Sequence, residues 1–127
     1  MSRRADGNCI EKRIRWYLRF RGYRIEAANY YTPYGEIDII ASKNGTLVFV
    51  EVRSKREQST VSFGTPAQSV TPQKQSRIIK SARFFLSQSF ISCAEYRFDV
   101  VEVIKKKHGL SINHIKNAFY INNHNSH

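Results

Sequence analysis

Residues 34–53 read YGEIDIIASKNGTLVFVEVR, two strand-like runs joined by a glycine turn. The runs are 36–41 and 46–53, rich in β-branched and aromatic residues, and Asn44-Gly45 between them is a strong hairpin signal. Strand side chains alternate between faces. Glu51 and Arg53 therefore share a face with Leu47 and Phe49, while Val48, Val50 and Val52 point the other way. Asp38 lies inside an isoleucine-rich run, where an uncompensated acid costs several kcal/mol. Two acids in the two most apolar strands of the chain point to a shared cation.

Outside this hairpin, composition narrows the partner. The 127 residues suit one domain, read as 1–121 with a flexible tail at 122–127. Lys and Arg number 21 against 10 Asp and Glu, a formal net charge of +11, which argues for a polyanionic partner. A hydrophobic content of 41% excludes a largely disordered basic tail. Cys9 and Cys93 are the only cysteines and form no CxxC or Cys/His cluster, so a zinc site is not expected. Two free thiols fit a reducing cytoplasm, with a single disulfide left open. No apolar run reaches the length of a membrane span, and no signal-peptide core follows the basic N-terminus.

The flanking segments read as alternating helix and strand. Residues 1–24 hold eight basic side chains, and Ile10, Ile14, Tyr17, Leu18 and Arg21 follow helical spacing. Asn8 is the expected N-cap and Gly22 the stop. Glu11 borders the apolar face, as a first-turn acid favoured by the helix dipole or as a third ligand reaching toward Asp38 and Glu51. Residues 23–31 read as a strand and 32–35 as a turn. On a regular strand Glu36 shares the face of Asp38, and its simplest role is a solvated entry residue. Residues 55–71 form a long polar loop. Thr71-Pro72 starts a second helix, whose core stripe is Ile78, Ile79, Ala82, Phe85 and Leu86. Lys74, Arg77, Lys80 and Arg83 lie off that stripe with no acid to balance them, which favours phosphate contact. Residues 96–104 form another strand, in which Asp99 pairs most simply with Arg97. Residues 105–109 are a basic turn, and 112–119 a last strand. The order is helix, three strands, helix, one or two strands: an α/β chain with a central mixed sheet flanked by helices.

Glu11, Asp38 and Glu51-Val52-Arg53 in that order resemble the active site of the PD-(D/E)xK nuclease superfamily. The likeness is closer still to the YraN family of small bacterial proteins, predicted endonucleases related to Holliday-junction resolvases. The resembling pieces are Gly7, Glu11, Tyr17-Leu18 and Gly22; Asn29; residues 35–40 and 48–53; Val70, Lys74 and Ala82; residues 97–101; and residues 114–119. The resemblance implies a restriction-endonuclease-like α-β-β-β-α-β core. It implies Mg²⁺ or Mn²⁺ held by Asp38 and Glu51, helped by Glu11 and the Val52 carbonyl, and a DNA substrate of branched, damaged or linear form. Arg13, Lys55, Lys74, Arg77, Lys80 and Arg83 are the expected DNA contacts, and a homodimer is one assembly open to the chain. Arg53 stands where the superfamily has Lys. Arg keeps its proton, so it can stabilise charge but not act as a base, and Lys55 or Lys74 is the nearest amine to take over. Two other classes remain open from the residues themselves: a nucleic-acid-binding module without turnover, and a basic adaptor for an acidic protein or RNA.

Overall fold

The computed structural model describes residues 3–57 and 70–120, the first six of these as backbone only. Most of the expected polar loop and the expected tail at 122–127 lie outside the described residues. The elements are α1 (Arg3–Phe20), β1 (Arg24–Thr32), β2 (Gly35–Lys43), β3 (Thr46–Arg56), α2 (Pro72–Gln88), β4 (Glu95–Lys106) and β5 (Gly109–Phe119). This is the α/β order expected, with several boundaries moved: β4 runs to Lys106 and β5 starts at Gly109, so the basic turn expected at 105–109 shrinks to residues 107–108. Helix α1 begins at Arg3, so Asn8 lies inside it rather than capping it. Strand β3 runs to Arg56, taking up the first residues of the expected loop, because its parallel pairing with β4 continues that far.

The five strands form one sheet in the order β1-β2-β3-β4-β5, with β3 and β4 parallel and the other neighbours antiparallel. Parallel neighbours need a crossover, and α2 supplies it. Thr71 starts α2 by accepting a hydrogen bond from the Lys74 N–H at 3.2 Å, and Pro72 occupies the first turn, where its missing N–H costs nothing.

One core lies on each face of the sheet. Ile10, Ile14 and Leu18 of α1 pack on Ile39, Ala41, Val48, Val50, Val101 and Val103. Ile78, Ala82 and Phe85 of α2 pack on Ile40, Leu47, Phe49, Phe98, Val100 and Phe119. Leu47 to Val50 are buried without a break, the pattern of a central strand covered on both faces. On the α2 side, Phe49, Phe98 and Phe119 stack across β3, β4 and β5 with centroids 5.6 and 5.1 Å apart. The turn before β2 is tied to α2, since Thr32 Oγ1 lies 2.8 Å from the buried Ser81 hydroxyl.

Asp99 is buried between the sheet and α1. Its carboxylate accepts from Arg97 Nε at 2.9 Å, from His114 Nε2 at 2.7 Å and from the Asn117 N–H at 3.1 Å. Burial pushes its pKa up, but these bonds outweigh it and hold Asp99 below its usual value. The expected pairing with Arg97 is present, with His114 as an added partner. Asp99→Ala would leave Arg97 and His114 facing a hole. Urea denaturation should show a loss of about 3–5 kcal/mol, as for breaking a buried ion pair; a loss comparable to a surface substitution would remove the network from the fold's supports.

Candidate active site

Strands β2 and β3 pair from the hairpin turn only as far as Ile39 and Val50. Beyond that point the strands part, while β3 stays paired with β4. Asp38 is the first residue past the split. Its Oδ2 accepts the Val52 N–H at 2.8 Å, filling the place of a ladder carbonyl. The regular alternation assumed for β2 does not hold here: Ile37 joins the α2-side core and Ile39 the α1-side core. On the facing strand, between Ala28↔Ile39 and Tyr30↔Ile37, Asn29 has φ 51°, a left-handed conformation that Asn tolerates better than most side chains.

The split opens into a cleft of about 390 Å³ lined by Glu11, Asp38, Glu51, Val52, Arg53 and Lys74, with Ile10 and Ser54 at its sides. Helix α1 contributes Glu11, the parted strands contribute Asp38 and residues 51–54, and the first turn of α2 contributes Lys74. Glu51 is 5% exposed, and its Oε1 lies 2.6 Å from Lys74 Nζ. Arg53 is half-buried, with its Nε enclosed and unpartnered among the described residues. Glu51 thus pairs with Lys74 and not with Arg53.

Burial, then the Glu51 carboxylate and more weakly Glu11, push the Asp38 carboxyl up to about 8, against the Val52 N–H, which favours the ionised form. Glu36 is exposed and outside the cleft lining, yet its carboxyl is also raised, by burial and then by Glu11 and Glu51. Acids of one sign therefore crowd this end of the sheet. Among the described residues, however, no group of three or more His, Cys, Asp or Glu side chains is arranged to hold a metal ion.

The structure brings together five sequence-selected residues, Glu11, Asp38, Glu51, Arg53 and Lys74. Arg77, Lys80 and Arg83 are exposed on α2, Arg13 is exposed on α1, and Lys55 lies one position beyond Ser54; none of these five lines the cleft. The expectation for Lys74 was a phosphate contact or a replacement amine; its contact with Glu51 is set by the crossover, which local spacing does not reveal. The sequence signal available was Thr71-Pro72, which fixes Lys74 in the first turn of α2.

A mixed sheet between two helices, with paired acids where its strands part, defines a restriction-endonuclease-like core. The model of the family described as "Uncharacterised protein family UPF0102" matches residues 10–103. A UPF0102 protein of Persephonella marina is 45% identical over 103 residues, covering 81% of this chain and 83% of its own. One from Caldicellulosiruptor saccharolyticus is 40% identical over 121 residues, covering 94% of this chain and 100% of its own. The chain belongs to the UPF0102 family, also called YraN, a part of the PD-(D/E)xK superfamily, and this membership supports a nuclease-like function.

The raised Asp38 carboxyl contributes to the pH dependence of the metal-free fold. Asp38 ionises near 3.8 when unfolded and near 8 when folded. Between these values each rise in pH favours the unfolded chain, and above about 8 the penalty is complete. Asp38→Asn keeps an oxygen for the Val52 N–H and removes the titration. In EDTA its melting temperature should gain steadily on the wild type's between about pH 4 and pH 8. A gap independent of pH would show that Asp38 is ionised in the fold throughout.

Proposed function

We propose that the chain is a metal-dependent DNA endonuclease whose reaction takes place at the β2–β3 split. The observation that carries this reading is the pair of crowded carboxyls, Asp38 and Glu51, in an open cleft that also holds Lys74 and Arg53. Carboxyls pressed together away from water disfavour their charged form, and a divalent cation relieves that cost. Asp38, Glu51 and the Val52 carbonyl offer hard oxygens that suit Mg²⁺ or Mn²⁺, with Glu11 close enough to raise Asp38 and so to assist. Mg²⁺ is commonly held by one or two carboxylates together with water and substrate phosphate, so a two-acid site fits it. When bound, the ion supplies Lewis-acid polarisation of the scissile phosphate and a water of lowered pKa.

The chain's own residues then divide the remaining work. Lys74, held by Glu51, provides the cleft amine that position 53 lacks. Arg53 stabilises charge on the phosphoryl oxygens with a fixed guanidinium. Arg77, Lys80 and Arg83, exposed along α2, hold the phosphate backbone without reading its sequence. A second reading has its own support: with Glu51 already paired to Lys74 and Arg at position 53, the chain binds nucleic acid without turnover.

A cleavage assay with a panel of metals on linear, nicked, flapped and four-way DNA decides between them. Wild type should cleave with Mg²⁺ or Mn²⁺, and Asp38→Ala, Lys74→Ala and Arg53→Ala should each lose about a hundredfold or more in turnover. Arg53→Lys should retain much of the activity. Cleavage undiminished in Asp38→Ala would end the proposal, and DNA binding without cleavage under any metal would favour the second reading.

Binding and turnover should also separate. Arg77→Ala with Lys80→Ala should weaken binding to all sequences alike and flatten its salt dependence by about one unit of slope per lost phosphate contact. Asp38→Asn should bind at least as tightly as wild type in filter-binding titrations. Equal losses in both variants would contradict this division of labour.

A further inference from the structure

The sheet face covered by α1 carries a second basic surface, on the side away from Arg77, Lys80 and Arg83. Two clefts follow one another along the seam between α1 and β5. The first, about 310 Å³, has Arg13, Arg56 and Lys105 on its walls and shares Ile10 with the Asp38 cleft. The second, about 470 Å³, sets Arg21, Lys43 and Lys116 around Tyr17, Phe20 and Tyr23. Arg13, Tyr17 and Phe20 stand at i, i+4 and i+7, one edge of a helix. The clefts are therefore consecutive stretches of one groove, with about 10 Å of helix between Arg13 and Phe20.

Charge and exposed rings together indicate the occupant. Six cations and no carboxylate line the two clefts among the described residues, a wall that attracts a chain of negative charges. Phe20, on the wall of the second cleft, is 85% exposed. Trp16, one turn earlier and 52% exposed, lies beside it with ring centroids 6.1 Å apart, outside the cleft lining and with the Arg19 guanidinium over its own ring. An uncovered ring beside cations suits a stacked base joined to phosphates. A duplex keeps its bases inside, so this pairing of features fits an unpaired strand better than double-stranded DNA.

The second cleft is also held in shape. Lys43 Nζ donates to the Arg21 carbonyl at 2.6 Å and lies 5.1 Å above the Tyr23 ring. The Tyr23 hydroxyl accepts from Arg97, whose charge is met by Asp99 beneath the floor. Such fixed walls reduce the ordering cost of binding.

We propose that the α1–β5 groove binds a single-stranded stretch of nucleic acid, with phosphates on Arg13, Arg56, Lys105 and Lys116 and a base stacked on Phe20. Because the groove adjoins the Asp38 cleft at Ile10, a substrate with an unpaired arm would run from one into the other; this clause alone rests on the nuclease reading.

Trp16 is the only tryptophan of the chain and stands beside Phe20, so its emission reports on occupancy of that ring. Titrating a thymidine oligonucleotide in EDTA should quench its emission. Anisotropy of the labelled oligonucleotide should show Phe20→Ala weakening single-strand binding about tenfold, with an equally long duplex changed by less than about twofold. Lys116→Ala should flatten the salt dependence by about one unit of slope. Phe20 and Lys116 are exposed, and an unchanged melting temperature will show that folding is intact. The proposal is overturned if Phe20→Ala binds single strands like wild type, or loses single strand and duplex equally. A polyglutamate peptide that competes as well as the oligonucleotide would likewise overturn it, marking a general acidic-partner groove. The measurement needs neither metal nor turnover. A chain that binds this way and cleaves nothing keeps the groove and loses the nuclease; one that cleaves while the groove variants bind like wild type does the reverse.

Discussion

Two aspartates of this fold stand where a β-ladder is interrupted, and each carboxylate accepts a backbone N–H. Asp38 takes the Val52 N–H where β2 leaves β3, and Asp99 takes the Asn117 N–H at the register shift between Phe98 and Val100. Beyond this the two diverge. Asp99 is met by Arg97 and His114 and is held below its usual pKa. Asp38 faces Glu51 and Glu11 and is pushed up to about 8. The fold has compensated one buried acid and left the other in debt of positive charge. A carboxyl that is costly to ionise, placed in an open cleft, is the feature on which the proposed metal site rests.

The remaining architecture serves this contrast. Residues 47–50 must be apolar on both faces because α1 and α2 cover both, so β3 is rigid right up to Glu51. The parallel pairing with β4 continues to Arg56 and keeps β3 extended after β2 has departed. The cleft is thus a gap between one fixed strand and one departing strand, walled by a helix on either side. Lys74 enters from α2 because the crossover starts beside the strand end that carries Glu51, and the Thr71 cap fixes where its first turn begins.

Much of this was legible in the sequence, for reasons that differ by residue. Asn44-Gly45 and the two-faced run 46–53 could hardly encode anything but a hairpin with a central strand. Asp38 and Glu51 declared themselves by cost, since acids inside such runs need a reason. Arg97 was readable as the partner of Asp99 because residues two apart on a strand share a face. His114 was not, because its approach depends on the β4–β5 register, which pairs it with Val101. Asn29 can adopt a left-handed backbone, but its place inside an alternating run hid that, and the broken alternation at Asp38 on the facing strand is not legible from local pattern. Asn8 misled in the opposite sense: a good cap residue can sit inside a helix that begins earlier. The α1–β5 groove was invisible because Arg56, Lys105 and Lys116 come from three strands and meet only in the folded sheet.

The pairing of Lys74 with Glu51 spans the crossover, and this bears on how the molecule is made. The α1–β1–β2–β3 portion emerges first during synthesis and already contains Glu11, Asp38 and Glu51. Its acids have no cleft ammonium until α2 has been translated and docked. Parallel β3–β4 pairing is a non-local contact, and such contacts are slow to form. Arg53 comes with the acids on β3, but the ammonium that meets Glu51 arrives only with α2. The cleft therefore has its full set of cations only once the crossover is complete and Lys74 stands against Glu51.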